Sequence, residues 1–104
     1  MTLDDIVHCQ EFAKQLGFIV HEGGGVFINN TISWTHHIAH IDTSLNIATL
    51  YKIKISSDGL PYCAAYVDRI NDPAEFRSRL LENIQKYKRY LSLYRLNHID
   101  KDFI

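Results

Sequence analysis

Three histidines and an aspartate stand close together in the chain, His36, His37, His40 and Asp42. Imidazole and carboxylate are the groups that zinc or iron accepts as ligands. On a β-strand, where side chains alternate with period two, His36, His40 and Asp42 would share one face. The spacing is permissive but not specific: the glutamate of a zinc-protease helix motif is missing, and six histidines in 104 residues cluster easily by chance. A metal or catalytic centre on these four residues is therefore one reading, set against histidines on a solvent-facing or interface strand.

Two further residue types could carry chemistry. Cys9 and Cys63 are far apart and lack a CxxC spacing, so they read as reduced, buried thiols with no nucleophilic role. Gly23, Gly24 and Gly25 could cradle a phosphate only if a helix N-terminus followed them. A strand-like run follows instead, so a tight turn is the stronger reading. No GxSxG elbow, Walker loop or dinucleotide fingerprint is present. The sequence thus points away from an enzyme and implies no cofactor.

The remaining chemistry is that of surfaces. Lys86, Lys88, Arg89 and Arg95 interleave with Tyr87, Tyr90 and Tyr94, a pattern that can hold phosphates and stack on bases. On a helical wheel, however, Tyr87 and Tyr94 fall inside the apolar stripe and the bases divide between its flanks. Nucleic-acid binding is accordingly the alternative reading, behind a protein-protein interface built from Trp34, Lys86, Arg89, Tyr90 and Leu93. Isoleucine is abundant and alanine scarce, as suits an AT-rich phage or mobile-element gene, where small binding proteins act as inhibitors or immunity proteins. Pairing of two copies through an exposed strand or the long helix is a further possibility.

These groups must be positioned by one domain, since 104 residues support a single modest core. With 46% hydrophobic and 22% charged residues, no apolar run long enough to span a membrane and acids near the N-terminus, the chain reads as cytoplasmic. Charge is uneven: residues 1–50 hold one base against five acids, and residues 51–104 ten bases against seven acids.

The firmest element is a helix from Asp72 to about Arg95. Asp72 is the N-cap, Pro73 the first helical residue and Glu75 the capping-box carboxylate. Phe76, Leu80, Ile84, Tyr87, Leu91 and Tyr94 fall within an arc of about 80°. A shorter helix begins after Thr2, buries Ile6, Cys9 and Ala13, and stops at Gly17. Between the helices, Phe18 to Glu22 and Val26 to Asn30 form a hairpin about the glycines, and residues 31–44 are assigned to a strand by their β-branched content. Leu45 to Ser56 alternates, with Ile47, Thr49, Tyr51, Ile53 and Ile55 on one face. Tyr62 to Arg69 returns with apolar groups on both faces, the pattern of a central strand. The expected fold is α+β: an N-terminal helix, a four- to five-stranded antiparallel sheet and a long C-terminal amphipathic helix packed on one sheet face.

Overall fold

The computed structural model describes residues 1–28 and 36–102, with side chains except at 65–67 and 98–102. Helix α1 spans Leu3–Gln15 and opens with the expected reciprocal cap. The Asp5 N–H donates to Thr2 Oγ1 at 3.2 Å, and the Thr2 N–H to Asp5 Oδ2 at 3.1 Å. The helix ends at Gly17, whose φ of +88° is a left-handed conformation open to glycine at little cost.

Among the described residues five strands follow: β1 (Ile19–Val20), β2 (Gly25–Phe27), β3 (His37–Asp42), β4 (Ile47–Ile55) and β5 (Pro61–Ile70). They pair antiparallel in sequence order as a meander. Helix α2 runs from Pro73 to Asp102, its start fixed by the Glu75 N–H donating to the Asp72 carboxylate at 2.9 Å. Both helices lie on one face of the sheet, giving the expected two-layer α+β architecture. The core between the layers joins Ile6, Cys9 and Ala13 of α1, Val26, Ile41 and Leu50 of the sheet, and Phe76, Leu80, Ile84 and Tyr87 of α2.

Four local expectations are corrected. First, β1 and β2 are shorter than the runs read from composition, and of residues 31–44 only His37–Asp42 form a described strand. Trp34 lies outside the described residues.

Second, the buried face of β4 is Ala48 and Leu50, while Ile47, Thr49 and Tyr51 are only partly covered and Ile55 is exposed. Third, β5 lies at the edge of the described sheet instead of its centre. One irregularity explains much of this: Tyr51 pairs with Val67 but Ile53 with Cys63, so four residues of β5 pass two of β4. The in–out alternation restarts there, which brings Ile53 into the core and gives β5 apolar residues in both phases. Asn83 of α2 donates from Nδ2 to the Tyr51 carbonyl at 3.0 Å, bonding a main-chain oxygen at the break in the ladder.

Fourth, α2 continues about two turns past Arg95. Thirty residues at ~1.5 Å rise make a helix about 45 Å long, in a molecule of 55 × 21 × 20 Å. Its first half is clamped to its surroundings. The Arg79 guanidinium meets Asp68 of β5 at 2.7 Å and Glu75 at 3.5 Å, and Arg77 lies 4.7 Å over the Phe12 ring of α1. In its second half Tyr90, Leu91 and Tyr94 are half-buried, while Leu93 and Leu96 are 51% and 60% exposed.

Candidate functional site

The histidine group is divided by a bulge in β3. Ala39 pairs with Val26 and His37 with Phe27, leaving Ile38 as an extra residue between them. The alternation shifts at that point. His36 therefore lies on the helix side, its ring 6.4 Å from that of Tyr87, while His37 and His40 share the opposite face with ring centroids 5.7 Å apart. The expectation that His36, His40 and Asp42 converge fails for this reason. Asp42 is committed elsewhere: its carboxylate accepts from Ser44 N–H at 2.9 Å, Ser44 Oγ at 2.7 Å and Leu45 N–H at 3.1 Å, closing the turn into β4. The Ser44 hydroxyl, with those amides, holds its pKa below the usual carboxylate value. Among the described residues no three His, Cys, Asp or Glu side chains are grouped to hold a metal ion.

What the bulge builds instead is a ring box. His37 stacks on Phe27 at 4.8 Å and meets Tyr51 at 4.4 Å and His40 at an edge. It is only 5% exposed, and burial, with the neighbouring His40, pushes its pKa below 6.5. A neutral imidazole shielded in this way is poorly placed to abstract a proton from a substrate. Phe27 and Tyr51 were not distinguished by sequence pattern, because the bulge that joins them to His37 has no local signature.

The glycine turn serves the same box. Gly24 N–H donates to His21 O and His21 N–H to Gly25 O, so the segment is a closed hairpin turn. A side chain on Gly24 would meet the Ile41 carbonyl oxygen at 2.6 Å and His40 Nε2 at 2.9 Å, and one on Gly25 would meet the Phe27 ring at 2.7 Å. The glycines are thus the seat of the rings. Both cysteines are buried, Cys9 with its pKa pushed up to about 11 by burial and the charges of Asp5 and Asp72, and Cys63 to about 12 by burial. As expected of core thiols, neither is ionised near neutrality.

The C-terminal half of α2 offers a different kind of site. From Lys86 to Leu96 the chain holds four bases and no carboxylate. Lys14 and Arg79 form ion pairs among the described residues, and these four form none there. At ~100° per residue Lys86, Arg89 and Leu93 occupy an arc of about 60° facing away from the sheet; Tyr90 lies at its margin, half-buried against the core, with the Lys86 ammonium 5.8 Å from its ring. Leu96, one turn beyond Leu93, joins this face and was missed because the helix was expected to end near Arg95. Tyr87 is buried, its pKa raised chiefly by burial, and forms part of the core as the wheel indicates. Tyr87, Leu91 and Arg95 also border two grooves, of 430 and 400 Å³, under this half of the helix. Compared with known proteins, the chain matches no family model, no curated protein and no solved structure.

Proposed function

We propose that this chain is a non-enzymatic binding protein whose contact surface is the outward face of the C-terminal half of α2. The observation that carries this is the pairing of exposed Leu93 and Leu96 with Lys86 and Arg89 on the outward side of a stretch, residues 86–96, that holds no carboxylate. An exposed apolar centre with a basic surround suits a protein surface that is apolar in the middle and acidic at its margin. Nucleic acid is the second reading, favoured by the same four bases. It leaves the leucines without a role, and Tyr90, at the margin of this face, packs partly against the core. The isoleucine-rich, alanine-poor composition supports a phage or mobile-element origin, and with it an inhibitor- or immunity-type role.

The test is affinity capture from lysate of the producing cell with the intact chain and with an Arg89→Glu/Leu93→Glu variant, followed by purified binding of whatever is retained. A protein partner held at least about tenfold more weakly by the variant supports the proposal, as loss of an interface anchor should cost more than ~1 kcal/mol. A partner held equally by both proteins refutes the surface. Nucleic acid retained in place of protein, with affinity falling steeply in salt, shifts the reading to the second class. For the inhibitor-type role the further measurement is the activity of the captured partner, which should fall when the chain is bound.

A further inference from the structure

Helix α1 lies alongside the first half of α2 and stops where the larger groove begins. Arg77 covers Phe12, and Leu16 lines that groove together with Ile84 and Lys88, so the helices run in the same direction and α1 ends near the level of Ile84. Beyond that level the flank of α2 has no described helix beside it. The groove there, 430 Å³, has an apolar floor of Phe18, Ile28, Ile84 and Leu91, and Lys88 and Arg95 on its helical wall. Those two cations are seven residues apart, two turns or about 10.5 Å along the axis, so they stand on the same side of the helix. Ser92 lies between them.

The chain carries the complement on its own surface. On the outward side of α1, Asp4 and Glu11 are also seven residues apart, with Val7 between them and Leu3 beside Asp4, all exposed. The spacing of the acids therefore equals that of the bases. We propose that a second copy lays the outward face of its α1 along this groove, and that the contact is reciprocal about a two-fold axis near Leu16 and Ile84. In that arrangement the second copy's α1 runs antiparallel to α2. Glu11 lies five residues before Leu16 and Lys88 four after Ile84, while Asp4 lies twelve before and Arg95 eleven after. Glu11 then comes level with Lys88 of the second copy, and Asp4 with Arg95. Val7 and Leu3 fall over the apolar floor. Among the described residues Glu11 pairs with Lys14, at 3.9 Å between side chains more than half exposed, a pair too weak to hold it back. Because each copy offers one groove and one α1, the contact closes at a dimer. It uses the flank of α2 and leaves the outward face of Lys86, Arg89 and Leu93 open.

Sedimentation velocity of the intact chain at about 100 μM, a concentration suited to an interface at the small end of the specific range, should show a dimer. The dimer should weaken as salt rises from about 0.1 M to 1 M and the screening length falls from ~10 to ~3 Å. Lys88→Glu/Arg95→Glu and Asp4→Lys/Glu11→Lys should each be monomeric, with circular dichroism confirming that each is folded. An equimolar mixture of the two should re-form a dimer, since basic groove meets acidic α1 on one side and acidic groove meets basic α1 on the other. A monomeric intact chain, an unaffected dimer in either variant, or a mixture that stays monomeric would each overturn the proposal. An Arg89→Glu/Leu93→Glu chain should dimerise like the unaltered one.

Discussion

Substituting alanine at four glycines separates the steric and conformational reasons for glycine in this fold. At Gly24 the backbone has φ of +101°, where an L side chain is strained by about 1–2 kcal/mol. Its Cβ would also stand 2.6 Å from the Ile41 carbonyl oxygen. That oxygen belongs to a residue whose own N–H donates to the Gly24 carbonyl at 2.7 Å, so neither backbone can move aside without loosening the link between turn and strand. Adding an overpacking cost of ~1–3 kcal/mol gives a loss of roughly 2–5 kcal/mol for Gly24→Ala. Gly17→Ala has the strain without the collision, with φ of +88° and nothing within 4 Å of the added carbon, and should lose only about 1–2 kcal/mol. Gly25→Ala collides with the movable Phe27 ring and should lose ~1–3 kcal/mol. Gly23→Ala meets nothing closer than His21 Nδ1 at 3.5 Å and should stay within about 0.5 kcal/mol. Urea unfolding followed by circular dichroism measures all four, and at ~4 °C or more per kcal/mol the Gly24 variant should also melt at least about 8 °C lower. If Gly24→Ala is no more destabilising than Gly17→Ala, the Ile41 carbonyl yields and the argument for a fixed ring seat is wrong.

The other two predictions concern His37 and Asp72. His37 has a folded pKa below 6.5, so as pH falls beneath 6.5 the unfolded chain takes up a proton that the folded chain resists. Its share of stability is present above pH 6.5 and is lost progressively down to the folded value; the melting temperature should drop over that window, and more shallowly in His37→Phe. A drop of equal slope in that variant would assign the acid sensitivity to other groups. Asp72→Ala removes the acceptor of the Glu75 N–H and should cost about 1 kcal/mol of unfolding free energy in urea, whereas Asp72→Asn should cost only a few tenths; equal losses would place the effect in the charge and not the cap.

The parts of this fold that were legible in the sequence are those set by short-range chemistry. Thr2 with Asp5, Gly17, and Asp72 with Pro73 and Glu75 specify helix ends within a few residues, and the stripe from Phe76 to Tyr87 is a matter of helical period alone. The strand faces were not legible, because each of the two irregularities resets a period of two. One extra residue at Ile38 moves His36 to the helix side and puts His37 with His40. The extra residues of β5 bring Ile53 inward. Neither position carries a glycine or proline to announce it. The ring box followed from the first of these irregularities and was hidden with it.

The far end of α2 was misread for a related reason: propensity there says helix, and Leu93 and Leu96 are exposed, so the apolar stripe does not mark where the helix stops. Leu93, Arg95 and Leu96 are competent helix formers that lie exposed. Leu93 and Leu96 contribute little to folding while half or more exposed, and four cations within eleven residues repel one another along the same helix. Glu82 stands one turn before Lys86 on α2 itself; further exposed acids, Asp4 and Glu11, are on α1, which reaches only the first half of α2 in its own chain. Two ways remain to quiet the second half: an acidic face from another copy along the Lys88–Arg95 flank, and an acidic, partly apolar partner on the Arg89–Leu93 face. The flanks are about a quarter-turn or more apart on the wheel, so both can be occupied at once. A dimer formed through the first would then present the second face twice, related by the two-fold axis, and a partner carrying two matching sites would gain avidity that a monomeric variant at Lys88 and Arg95 lacks.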